Sequence, residues 1–188
     1  QLRRLYFFAL LTIAITVILS QFLIQYNLNS QLIDSKIINI SGKQRMLSQK
    51  LTKQVLILNF ITDSTSNKQE TLHIKQIIDL WKFNHQALVN GNDSLGFPKE
   101  KSHTLSRLFL SVQPNFDSII NASTIFLQNK KKAVHENQNQ KLVESILENE
   151  KQFLSKMNEI VGQYEKEALE KVKKQSKTEY TLLTFTLL

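Results

Sequence analysis

The sequence predicts an all-α protein: an antiparallel, up-and-down four-helix bundle set between two transmembrane helices, the second of them truncated. Three observations carry this. Gly occurs 4 times and Pro 2 times in 188 residues, too few for a turn-rich β protein. The stretch Leu5 to Ile24 is uncharged and almost wholly apolar. Beyond it, apolar residues recur at helical steps in stretches parted by short polar or Gly/Pro clusters, as helices that each bury one face require.

The apolar stretch reads LYFFALLTIAITVILSQFLI. At about 1.5 Å per residue it covers the ~30 Å of a hydrocarbon core. Its hydroxyls, Thr12, Thr16 and Ser20, can bond back to helix carbonyls at little cost. It is longer than the core of a cleaved signal peptide and has no small-residue cleavage site, so a retained anchor over 5–25 is expected after a cytoplasmic stub, 1–4. Arg3 and Arg4 place the N-terminus in the cytoplasm and the following domain, 26–179, outside it. Residues 180–188 are again apolar and uncharged and read as the start of a second span, cut short. Lys171, Lys173, Lys174 and Lys177 beside that second span run against the charge rule.

Within the domain, a first helix is expected to run on from Tyr26 to about Ile61. A break follows at Asp63 to Asn67, then a second helix from about Lys68 to Val89. The cluster GNDSLGFP, Gly91 to Pro98, marks a turn. A third helix is expected over about Lys101 to Gln128, with a kink or restart at Pro114, which lacks an N–H and disfavours helix at the residue before it. After Lys130 to Lys132 and HENQN, a fourth helix extends from about Asn139 into the second span. Its stripe is Leu142, Ile146, Phe153, Met157, Ile160, Tyr164, Ala168 and Val172. With both ends at the membrane, up-down-up-down packing is the economical arrangement.

The net charge of +8 could attract nucleic acid, anionic lipid or a small anion. A domain outside the cytoplasm, rich in Lys and Asn without interleaved aromatics, matches a strand-binding surface poorly. Cys is absent, so disulfides and thiolate metal sites are excluded. His73, His85, His103 and His135 show no metal-ligand spacing and read as exposed or capped. Trp81, with Leu80 and Ile77, reads as core or as a plug at one end of the bundle. No P-loop, nucleophile elbow or acid pair occurs, so no catalytic residue, metal or cofactor is expected in this chain.

The first helix is the informative one. Ile37, Ile40, Leu47, Leu51, Val55 and Leu58 form an apolar stripe for the core. The opposite face carries Ser35, Ile38, Gly42, Arg45, Met46, Gln49 and Lys53, which is odd for a solvated surface. Gly inside a helix costs roughly 1 kcal/mol relative to Ala, and Ile38 and Met46 gain nothing from water. A second copy packed about a two-fold axis explains this face, with Gly42 letting the backbones approach. Two Arg45 guanidinium groups then converge, an arrangement favoured when an oxyanion sits between them. The competing reading of Arg45 is a solvated helix charge, and of Gly42 a tolerated packing residue.

The segment Ile38-Asn39-Ile40-Ser41-Gly42-Lys43-Gln44-Arg45-Met46-Leu47-Ser48-Gln49-Lys50 resembles the signature of the type IV pilus methyl-accepting chemotaxis transducer (PilJ-type) N-terminal sensory domains. It is similar also to the corresponding box of the nitrate and nitrite sensor histidine kinases of the NarX/NarQ type. Asn39, Gly42, Arg45, Met46 and Ser48 form the shared core. At Lys43, Gln44 and Leu47 the chain looks more like the pilus-transducer variant, and Ser41 replaces the usual Ala.

The resemblance implies a bundle that dimerises in a bacterial inner membrane, facing the periplasm or cell exterior. It implies an anion such as nitrate or nitrite held by Arg45 of two copies, with Gly42 a backbone neighbour; Met46 and Gln49, on the same face of the helix, complete the candidate ligand-binding set. The output domain would lie after Leu188 and could be a histidine kinase, a chemotaxis signalling domain or a cyclase; these residues do not choose among them, and a histidine kinase is expected from family frequency only. An alternative reading is a dimerisation and interaction module for a protein partner, such as a pilin or binding protein, met at membrane-distal segments near Asn92 and Lys131.

Overall fold

A computed structural model of the chain describes residues 2–60, 64–132 and 136–187. Among these, four helices account for nearly all of the structure: α1 (Leu2–Phe60), α2 (Ser64–Asn90), α3 (His103–Lys132) and α4 (Glu136–Leu187). No strand occurs among the described residues, and the fold is the all-α four-helix bundle expected. The chain divides into two compact units. One is 37–164, and the other pairs 1–36 with 165–188.

In unit 37–164 the contacts fix an antiparallel order. Trp81 of α2 meets Phe116 of α3, while His85, a turn further on, meets Gln113, earlier on α3. Asn115 of α3 reaches Asn149 and Gln152 of α4, and Ser111 accepts from the later Lys156. Lys130 of α3 donates to the Asn59 carbonyl of α1 at 3.1 Å, which brings the C-terminal ends of those helices together.

The core centres on Trp81, fully buried, with its ring 5.0 Å from both Phe116 and Phe153 in edge contacts. Such pairs add about 0.5–1.5 kcal/mol each beyond area burial. Trp81 is therefore core, one of the two readings that its neighbours allowed. On α4, Ile146, Phe153, Met157 and Ile160 are buried as the periodicity required, whereas Val172 is exposed and lies outside this unit.

The α2–α3 connection is built as its composition predicts. Gly91 and Gly96 take φ of 76° and 74°, a region closed to most L residues. Asn92 and Phe97 exchange backbone hydrogen bonds of 3.0 and 2.8 Å, and Phe97 is buried. Lys101 caps α2 by donating to the Val89 carbonyl at 2.7 Å, and burial lowers the pKa of its ammonium. Ser102 caps α3 through Oγ to the Leu105 amide.

Three local expectations need correction. No restart occurs at Pro114, because α3 is one helix from His103 to Lys132. Pro114 is exposed, while Val112, Asn115 and Phe116 on either side of it are buried, so packing outweighs the missing backbone bond. Helix α2 begins at Ser64, inside the expected break, and Asp63 lies outside the described residues. Finally, Asn92 and Lys131 are not at one end. Helix α3 separates them by about 45 Å, at roughly 1.5 Å per residue.

In the unit 1–36 with 165–188, the N-terminal part of α1 is long and apolar enough to cross a membrane, and its side chains face outward. Thr12 and Thr16 bond back to the carbonyls of Phe8 and Thr12 at 2.9 and 2.8 Å, as lipid requires. Asp34 pairs with Lys171 at 3.0 Å, and Asn27 with Glu179 at 2.8 Å. Residues 180–187 continue α4 without a break.

Candidate functional site

Helix periodicity brings the four residues singled out on α1 to one place. Gly42, Arg45, Met46 and Gln49 line one open groove of about 300 Å³, closed on its other side by Leu154 and Asn158 of α4. Arg45 is half-buried, and its Nη1 donates to Oδ1 of Asn158. That partner is a neutral amide, and no carboxylate pairs with Arg45 among the described residues. The guanidinium therefore brings an uncompensated positive charge and further N–H donors to the groove, which is what an oxyanion needs. A fixed fork also loses less freedom on binding than a free one.

Gly42 opens the groove. A Cβ built there meets nothing within 4 Å, so packing inside this chain does not demand glycine. The same holds for Gly162 of α4, one turn beyond Asn158. Beside Gly42, Met46 is exposed to 50%. Apolar side chains beside helical glycines that nothing in the chain fills make a surface suited to close approach.

The buried face of α1 is wider than its apolar stripe. Ser41, Gln44, Ser48 and Thr52 are buried beside Leu47, Leu51, Val55 and Leu58. Ser48 donates to the Arg45 carbonyl at 2.8 Å. Both polar atoms of Gln44, Ser41 Oγ and Thr52 Oγ1 find no protein partner. Gln44 and Leu47 thus turn to the bundle interior and not to the groove, so these two pilus-type variations act on packing. Sequence reasoning also missed Asn158. Its only signal was its place on α4, one turn from Leu154, at the edge of the buried stripe.

The histidines divide. His73 lies 4.0 Å from Glu70 and His103 is exposed at the start of α3, while His135 lies outside the described residues. His85 is neither exposed nor capped: it is 2% exposed, stacked on Phe116 at 3.9 Å. Gln113 Nε2 donates to Asp117, which leaves Gln113 Oε1 to accept from His85 Nε2 at 3.0 Å. His85 Nδ1 has no partner. The neutral ring with its proton on Nε2 satisfies this arrangement, and burial lowers the His85 pKa against the smaller opposing effects of Gln113 and Asp117. Among the described residues, no group of three His, Asp or Glu side chains is placed to hold a metal ion.

Residues 26–147 match the family described as the type IV pili methyl-accepting chemotaxis transducer N-terminal domain. The match covers α2, α3, the part of α1 that carries Gly42 to Gln49, and the first turns of α4. No curated protein matches the chain.

Proposed function

The chain belongs to the type IV pili methyl-accepting chemotaxis transducer N-terminal family, and from that premise we propose that it is a dimeric, membrane-anchored receptor for a small oxyanion. Its coarse role is that of a sensory domain in a chemotaxis transducer, which is not catalytic. The apolar part of α1 serves as the anchor, with Arg3 and Arg4 on the cytoplasmic side and the bundle outside. The observation that carries the ligand reading is Arg45, held by Asn158 and without a carboxylate partner among the described residues, in the groove with Gly42, Met46 and Gln49.

Two copies meet about a two-fold axis along α1, where the vacant surface over Gly42 admits the partner backbone. Each copy contributes Arg45, and an anion between them removes the repulsion of two like charges. Nitrate or nitrite fits best, because a planar oxyanion accepts from planar forks on both sides. Binding favours one of two packings of α1 against α4. A shift of about 1–2 Å in helices that continue from the bundle toward the membrane then carries the signal. The family description favours a chemotaxis output over a histidine kinase or a cyclase.

The test is Gly42→Leu. Within one chain a Cβ at this position meets nothing within 4 Å among the described residues, and circular dichroism checks that the variant folds. In the dimer the added side chain separates the two helices, and sedimentation of the full chain in neutral detergent detects monomer where the native chain is dimer. A Gly42→Leu dimer as tight as the native one contradicts the arrangement.

A further inference from the structure

Away from Arg45, a second groove of about 390 Å³ runs between α2 and α3. Its floor is Ile78 and Leu127, both buried, and its rim carries Lys75, Lys82 and Lys131 with a lone acid, Asp79. No ion pair occupies Lys75 or Lys82 among the described residues. Lys130, next to Lys131, is engaged elsewhere, donating to Asn59 and covering the Phe126 ring. Leu72, one turn before Lys75, and Phe83, one turn after Asp79, are exposed at 59% and 49%.

The spacing of these charges identifies the occupant. Lys75 and Lys82 lie two turns apart on α2, roughly 10 Å along the axis. Trp81 sets the level of Lys82 against Phe116, and from Phe116 to Lys131 helix α3 climbs roughly 20 Å. The three ammonium groups therefore mark a line too long for one small anion. Ammonium groups on flexible stems suit carboxylates and make little demand on geometry. We propose that the α2–α3 groove binds an acidic, partly apolar segment of a partner protein in extended form. In the extended polyproline II form three residues make one turn, with a rise of about 3.1 Å per residue, so carboxylates at every third residue share a face and meet the lysines in turn. Leucine-like side chains between them cover Leu72 and Phe83.

This site is independent of Arg45, lies on other helices and stands whether or not an anion binds there. The test uses the full chain in neutral detergent and two fluorescein-labelled heptapeptides of equal composition. One carries Glu at positions one, four and seven, with Leu and Ser between, and the other has the three Glu adjacent. Fluorescence anisotropy should show tighter binding of the spaced peptide. Lys75→Glu/Lys82→Glu should weaken it by about tenfold, since two exposed pairs are lost and reversal adds repulsion. Lys166→Glu/Lys173→Glu, an equal change in net charge outside the groove, should leave it within about twofold, as should Arg45→Ala.

Equal loss in both charge-reversed variants, or no preference between the peptides, would overturn the proposal and leave a diffuse basic surface. Displacement of the spaced peptide by succinate, with sodium chloride of equal ionic strength inert, would also overturn it, in favour of a small dianion.

Discussion

Arg45 of α1 and Asn158 of α4 are joined by a hydrogen bond from Nη1 to Oδ1, and among the described residues no carboxylate pairs with the first. An amide holds the guanidinium in place without neutralising it. Asn158→Ala removes that hold but keeps the charge. Anion affinity measured by titration of the full chain should fall by about threefold to tenfold, the range of one positioning hydrogen bond. Asn158→Asp should abolish binding by supplying the missing counter-charge. Unchanged affinity in both would separate the groove from the ligand.

Gly42→Ala tests whether the glycine serves the chain or its partner. Among the described residues nothing lies within 4 Å of the added Cβ, and Ala is favoured over Gly in helices by about 1 kcal/mol. A monomeric form of the protein should gain roughly 2–4 °C in Tm, while the dimer dissociates at higher concentration than the native one. A stabilised chain with an unweakened dimer would make Gly42 an ordinary packing residue.

Gln44 is a buried amide with neither polar atom partnered by protein. Replacing such a group with an apolar one of similar size removes a desolvation cost of about 1–3 kcal/mol. Gln44→Leu should therefore raise the midpoint of urea unfolding at unchanged slope. A lowered midpoint would show that Gln44 is satisfied by internal water and holds the layer together.

His85 makes stability depend on pH with a definite sign. Burial lowers its folded pKa below the ordinary value of 6.5, so the unfolded chain binds the proton more readily. The contribution is complete above about pH 6.5 and is lost as pH falls from there toward the lowered folded pKa. Urea midpoints measured between pH 8 and pH 5 should fall on acidification, and His85→Gln should flatten that part of the profile. A native profile that rises toward pH 5 would contradict the neutral, buried ring.

Gly91 separates a turn requirement from a helix preference. Its φ of +76° and a Cβ position only 2.8 Å from the Lys99 backbone leave no room for a side chain. Gly91→Ala should lower stability by about 1–3 kcal/mol, the opposite sign to Gly42→Ala. Equal effects at the two positions would mean that the connection rebuilds freely.

Much of this was legible in the sequence for a simple reason: each helix buries one stripe, and stripes are periodic. Leu47, Leu51, Val55 and Leu58 could be placed from spacing alone, and so could the face holding Gly42, Arg45, Met46 and Gln49. What could not be read depends on neighbours distant in the chain. Asn158 matters because α4 runs antiparallel beside α1, and nothing local to it says so. Gln44, Ser48 and His85 look like surface residues by type, yet tertiary packing buries them. Pro114 looked like a break because its local rule is strong, and the buried residues around it outweighed that rule. The basic groove between α2 and α3 combines charges from two stretches that are each unremarkable.

The most direct measurement is calorimetric titration of the full chain, confirmed as a dimer in neutral detergent, with nitrate, nitrite, sulfate and phosphate. Saturable binding of a planar oxyanion at one per dimer is expected, abolished in Arg45→Ala, which remains folded. A folded dimer that binds none of the four anions, or that binds equally well without Arg45, would contradict it.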